Sequence, residues 1–335
     1  MSLSRTTRCG VAVFALTLLC EVGWCAPATT PDSCIALRKH GHKTEAQSCF
    51  EGLTKSTSAY FRAEGYWGLE QYDSANEQFR LATQAPTGGV LERVRWGMLL
   101  HERFNNAEAD DLFNEALQRD PKNARAYLGM AVVSTYGFDN KAAAYAAKAV
   151  ELDPKLTEAH ELLAGLALDD GDTEHAVTEA DAALAIDKDA LDAMAVHAAI
   201  ELLADKDAAA EVWFGKIKAI NPGYGQGYAL VAGQLEMHYR YEDGIVYYRK
   251  AIEADPRLWS AHSALGIDLM RMGQEKEPLE QLELSYDNGY RDAATVNSLR
   301  LLDSYKNFVT FKDDTTILRM KKEEPDAPYE LAEAA

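Results

Sequence analysis

"RKAIEADPRLWSAH", residues Arg249–His262, ends one apolar-periodic stretch on an Asp-Pro step and opens another within four residues. Proline disfavours helical geometry in the residue before it, so the step reads as the end of one helix and the close start of the next. The phrase returns upstream as "NEALQRDPKNARAY" (Asn114–Tyr127), "AKAVELDPKLTEAH" (Ala147–His160), "DAALAIDKDALDAM" (Asp181–Met194) and "GKIKAINPGYGQGY" (Gly215–Tyr228). The closing residues are Pro121, Pro154, Lys188, Pro222 and Pro256, spaced by 33, 34, 34 and 34 residues. Twelve residues before each stands a small one: Ala109, Ala142, Ala176, Ala210 and Gly244. Five residues before each come Ala116, Ala149, Ala183, Ile217 and Ala251. Three registers that agree over five units mark a stacked repeat array.

Each unit spells two amphipathic helices joined by a short turn, such as "LDDGDTE" around Gly171 or "MRMGQEK" around Gly273. The small residue early in the second helix lets the first helix approach, and the later alanine faces the next unit. Phe79, Phe113, Phe214, Tyr248 and Leu282 are of a size to fill the space between helices. With Trp96-Gly97 in "WGMLL", and Leu265-Gly266 and Gly273 in "SALGIDLMRMGQ", the chain resembles the tetratricopeptide repeat family. The resemblance implies an all-α, right-handed solenoid of helix-turn-helix units, each burying what its neighbour exposes. Clear units span 90–291. Degenerate pairs, "CIALRKHGHKTEAQSCFEGL" and "YFRAEGYWGLEQYDSANEQFRLA", fill 29–89. Lys188 in place of a closing proline, and Pro278 where a small residue belongs, depart from the pattern.

The composition, 47% hydrophobic and 26% charged, suits a chain that builds a core. A net charge of -19 repels phosphate, which argues against a nucleic-acid partner. The first residues read as an address. "MSLSRTTRCG" carries Arg5 and Arg8, "VAVFALTLLC" is apolar, and "EVGWCAPATT" turns polar: a secretory signal peptide over 1–28. Cleavage after Ala28 fits best, with Cys25 and Ala26 as alternatives. The apolar run is shorter than the roughly 20 residues of a membrane span. Leu19 and Trp24, ahead of Cys20 and Cys25, are too large for a lipoprotein signal. The expected product is exported, periplasmic or secreted, with no integral membrane span after cleavage. Cys34 and Cys49 then remain, on either side of the turn at Gly41. In an oxidising compartment they are expected to form a disulfide that staples the first unit.

Candidate chemistry is sparse. A zinc peptidase helix needs two histidines one turn apart with a glutamate beside the first. "HELLA" at His160-Glu161 has Ala164 where the second histidine belongs, and "HERFN" at His101 has Asn105. His160 falls on the family's large first-helix position, which implies packing. No Gly-rich phosphate loop, G-x-S-x-G or C-x-x-C occurs. No catalytic residue, metal or cofactor is therefore expected. What the resemblance leaves is a partner groove on the concave face, lined by first-helix residues: Tyr127, Glu161, Asp169, Gln226, Glu236, Met270 and Arg271. An acidic groove repels a ligand held by its C-terminal carboxylate, so a basic or extended peptide fits better.

After the repeats, "RDAATVNSLRLLDSYKN" opens on Asp292 as an N-cap and carries Val296, Leu299, Leu302 and Tyr305 on one stripe. This predicts a capping helix over 292–306. "FVTFKDDTTILRM" (Phe308–Met320) alternates with period two and predicts a β-hairpin within 307–335, ahead of the charged "KKEEPDAPYELAEAA". Helix followed by strand is similar to the junction in exported bacterial proteins that join these repeats to a peptidase-MA-like metallopeptidase domain. That resemblance implies a peptidase lineage, with the repeats positioning substrate or partner for a catalytic domain not carried by these residues. The reading favoured by the sequence is a non-catalytic scaffold that binds a protein or peptide on its concave surface.

Overall fold

The computed structural model describes residues 29–85, 88–135, 141–312 and 317–322; the segment 1–28, read above as a signal peptide, and the charged tail lie outside them. Among the described residues the helices fall into eight consecutive pairs. They are α1 (Pro31–Lys39) and α2 (Lys43–Leu53), α3 (Ala59–Gly68) and α4 (Tyr72–Gln84), and α5 (Val90–Glu102) and α6 (Asn106–Arg119). Next come α7 (Ala124–Ser134) and α8 (Lys141–Leu152), α9 (Thr157–Asp169) and α10 (Thr173–Ile186), and α11 (Leu191–Leu203) and α12 (Asp207–Ile220). The last are α13 (Gly225–Met237) with α14 (Tyr241–Ala254) and α15 (Trp259–Arg271) with α16 (Lys276–Asp287). A single helix, α17 (Ala293–Ser304), comes after the eighth pair, and a hairpin of β1 (Phe308–Lys312) and β2 (Ile317–Lys321) comes after that helix. This is the all-α repeat solenoid with a C-terminal hairpin that the sequence predicts.

The register of small residues works as the sequence implies. Ala109, Ala176 and Ala210, and Ala116, Ala149, Ala183 and Ala251, are all fully buried. Phe113, also fully buried, sits in a slot between two glycines. A Cβ on Gly97 would lie 2.6 Å from its ring, and one on Gly129 of the next unit 2.3 Å. Within each described turn one residue adopts the left-handed conformation that reverses the chain. It is Gly41, Gly171 and Gly273 in three units, but Glu70, Phe104, Asp205 and Tyr239 in four others, where a side chain tolerates the cost. The two departures cost little. At Lys188 the turn keeps the contact made in the proline-bearing units: the Asp187 carboxylate accepts the Asp189 N–H at 2.9 Å, as Asp120, Asp153 and Asp255 accept the N–H two residues on. Pro278 falls in the first turn of α16, where backbone N–H groups have no helical partner to lose.

The array curls tightly enough to fill its own interior. Helix α11, "LDAMAVHAAIELL", is buried on nearly every side through Ala193, Ala195, Ala198, Ala199, Val196 and Leu202. Its alanines let α9 and α13 close over it, and the Gln234 side-chain amide donates to Asp169 across that gap. A helix apolar all round belongs in a core, and here the core of the solenoid is centred on it.

Curling also brings distant units into contact along a seam. Lys39 pairs with Asp187, His40 Nε2 meets Asp189 Oδ2 at 3.1 Å, and Asn221 Nδ2 donates to the Lys39 carbonyl at 3.2 Å. Farther along, Arg257 pairs with Glu70, and Arg103 donates to the Gly289 carbonyl at 3.3 Å. Phe104 packs edge-on against Tyr290, ring centres 5.2 Å apart. The hydrogen-bonded partners are 148 to 187 residues apart in sequence. The turns of repeats 1–3 thus rest on the loops at the ends of repeats 5–8.

The two ends are finished differently. In repeat 1 the Cys34 and Cys49 sulfurs lie within bonding distance, with Cα atoms 5.4 Å apart. At the other end Asp292 caps α17, accepting the Thr295 N–H at 2.8 Å, as the sequence predicts. The inner face of α17 is set by Thr295 and Leu302, with Val296, Leu299 and Tyr305 half-buried beside them. Thr295 and Ser263 share a buried hydroxyl hydrogen bond of 2.6 Å. In the antiparallel hairpin Phe308 pairs with Lys321 and Thr310 with Arg319. Arg319 ties it to the solenoid through Glu275 and lies over the Tyr305 ring at 3.9 Å. Its turn, residues 313–316, lies outside the described residues.

Candidate functional site

Because α11 is covered, the concave face is not a continuous groove. It opens as a cleft of about 540 Å³ where repeat 1 overhangs the starts of α9, α11 and α13. Ile35, Lys39 and Lys43 form one wall, and Glu161, Asp192, Tyr224 and Gln226 form the other. Leu191 and Leu258 add apolar surface. The seam contacts of Lys39 and Asn221 hold the two walls together.

Local helix chemistry places the acidic wall. Helix α11 starts at Ala190, which has no side chain able to cap it. Glu161, one repeat earlier, supplies the cap: its Oε1 accepts the N–H groups of Asp192 at 3.2 Å and Ala193 at 3.3 Å. Asp192 Oδ1 in turn accepts the Tyr224 hydroxyl at 2.5 Å. Burial and then the neighbouring Asp192 carboxylate push Glu161 up to about 8, against the pull of the Ala193 N–H. Burial raises Asp192 as well, although Tyr224 and Lys39 oppose the shift. Tyr224 is raised by burial and by the carboxylates of Asp192 and Glu161. Such a pair resists carrying two negative charges at once, and an arriving cation relieves that cost. Across the cleft Lys39 is engaged by Asp187, while Lys43 is exposed and has no ion pair among the described residues.

Of the seven residues assigned to the groove from sequence, Glu161 and Gln226 line this cleft. The others are committed to contacts inside the chain. Tyr127 lies half-buried against Tyr145, ring centres 6.3 Å apart, and Asp169 accepts from Gln234. Glu236 accepts the Tyr248 hydroxyl at 3.1 Å and pairs with Arg271, which also donates to Asp268 at 2.8 Å. Met270 is half-buried beside them. Burial, then Glu236, pushes Asp268 up to about 6. His160 packs as expected, its ring between Glu179 at 2.6 Å and the Pro154 carbonyl at 3.2 Å. His262 occupies the same position three repeats on, between Gln281 and the Pro256 carbonyl. Sequence reasoning missed Lys39, Lys43, Asp192 and Tyr224. The first two come from a unit that no local pattern places near α11. No group of three or more His, Cys, Asp or Glu side chains among the described residues is placed to hold a metal ion.

No protein-family profile and no curated protein matches the sequence. Solved structures do match. The chain is similar to a tetratricopeptide repeat protein from Parabacteroides merdae, at 16% identity and a TM-score of 0.50, over 76% of this chain and 98% of that one. It is also similar to the Cut9–Hcn1 hetero-tetramer of the APC/C, at 11% identity and a TM-score of 0.52, over 81% of this chain and 54% of that chain. These likenesses establish the tetratricopeptide repeat fold. No described helix is long and apolar enough to cross a membrane.

Proposed function

We propose that the protein is a peptide-binding scaffold whose ligand enters the cleft under repeat 1 and places a lysine or arginine side chain against Glu161 and Asp192. The carrying observation is the carboxylate pair itself, buried by its own fold in an open cleft with no cation of this chain bonded to it among the described hydrogen bonds and ion pairs. Lys43 on the opposite wall suits a carbonyl or carboxylate of the same segment. The likeness in fold to a chain of the Cut9–Hcn1 hetero-tetramer supports a protein partner. Export through the 1–28 signal and oxidation of Cys34 with Cys49 belong to the same reading.

The test is selection of randomised nonapeptides at pH 9, where Glu161 is ionised, on the purified chain beside a Glu161→Gln variant, whose amide oxygen still caps α11. Enrichment of a basic residue, lost in the variant, is the expected result. Enrichment that ignores the substitution refutes the assignment. The pH dependence has a definite sign. Glu161 is largely neutral below about 8 and ionises above it, so affinity for a basic peptide rises from pH 6 to pH 9 while lysine, near 10.4, stays charged.

A further inference from the structure

The repeats present two edges: the turns that join the two helices of a unit, and the loops that join one unit to the next. In repeats 1–3 the turn edge is used up in the seam. Glu70, at the left-handed turn position of repeat 2, takes Arg257 from a loop, and Phe104, at the same position of repeat 3, takes Tyr290. The same acid-then-aromatic order recurs at the same backbone position in repeats 6 and 7, as Asp205 (φ +56°) and Tyr239 (φ +60°). There no loop among the described residues meets them. The Asp205 side chain is 85% exposed and Tyr239 is 80% exposed. Their neighbours are on the same edge: Arg240 lies 3.2 Å from Asp205, and Tyr241 packs 6.2 Å from Tyr239. Met237 and Met272 extend the exposed apolar surface.

A complementary loop edge is also uncovered. Arg257 directly succeeds an Asp-Pro step; Lys122 and Lys155 occupy that position after repeats 3 and 4. Both are exposed, and neither has an ion pair among the described residues. We propose that the turn edge of repeats 6 and 7 docks on the loop edge of repeats 3 and 4 in a second copy of the chain. The contact between copies repeats the one that closes the superhelix within a copy: Asp205 meets Lys122 or Lys155, and Tyr239 packs on the adjoining loop. It joins unlike surfaces, so it leaves one of each free and propagates head to tail instead of closing a two-fold dimer. A net charge of -19 on each copy opposes association, so the contact is weak and strengthens as salt screens that repulsion.

Sedimentation velocity of the full chain, from low to high micromolar concentration, provides the test. Mass should grow past the monomer with concentration, and Tyr239→Ala should weaken association about tenfold. Asp205→Lys, and Lys122→Glu combined with Lys155→Glu, should each remain monomeric alone. Mixed together, they should associate again, because the mixture restores opposite charges. A monomer at every concentration overturns the proposal. So does a dimer indifferent to all of these substitutions, or a mixture that fails to associate.

Discussion

The first and last units of this solenoid share a difficulty, a face with no neighbouring repeat among the described residues, and resolve it in opposite ways. Repeat 1 is held by partners far away in sequence, Asp187, Asp189 and Asn221, which grip its turn, while the Cys34 and Cys49 sulfurs of its two helices lie within bonding distance. The last unit is held by the chain immediately C-terminal to it. Helix α17 shares the Ser263–Thr295 hydrogen bond, and the hairpin reaches back to Tyr305 and Glu275. A terminus packed on long-range contacts depends on the curvature of everything between. One packed on local contacts does not. The stability of repeat 1 therefore reports on the whole superhelix, and that of α17 on its neighbours alone.

The strongest test of that contrast removes the sulfur tie. Replacing Cys34 and Cys49 with serine opens a loop with a sequence separation of 15, for which chain entropy gives about 3 kcal/mol. Hydrogen exchange should rise throughout α1 and α2 and along the seam, and leave α17 unchanged. Equal loss of protection at both ends would break the comparison. A smaller effect belongs to the opposite end. Thr295→Val strands the Ser263 hydroxyl in the core at a cost of about 1–2 kcal/mol, with exchange confined to α15–α17. Spread of that effect into repeat 1 would show that the local end is coupled after all.

The smallest effect is one of pH. The Ala36 carbonyl first, and then Asp189, raise His40 above its ordinary 6.5, although its neighbour Lys39 pulls the other way. A histidine raised on folding stabilises the folded state fully below 6.5, and the contribution fades as pH climbs past its raised value. Protection of α1 should therefore fall across neutral pH, and His40→Gln should flatten that slope. A profile unchanged by the substitution would remove His40 from the seam's energetics.

The positions of Pro121 to Pro256 and of the alanines before them made the helix pairs legible, because those residues act on immediate neighbours. The hairpin was legible from its period of two. The groove was not, because its shape depends on a small rotation per repeat summed over the array, which no single unit encodes. One signal was present in "DAMAVHAAIELL", whose apolar residues surround the helix instead of lining one face. Read as buried all round, α11 would have excluded Asp169 and Glu236 from an open surface. Glu161 was legible as a first-helix residue, but its partner Asp192 and the overhang of Lys39 and Lys43 arise from curvature.

The seam also turns the number of repeats into a specification. Solenoids whose units touch only their neighbours can gain or lose a unit in mid-array with little consequence beyond length. Here an extra unit placed between repeats 3 and 5 would carry Arg257 and Tyr290 one step beyond Glu70 and Phe104, and set other residues opposite Lys39. Duplication and deletion, the usual ways a repeat protein changes size, would both break the seam contacts that hold the two walls of the cleft together.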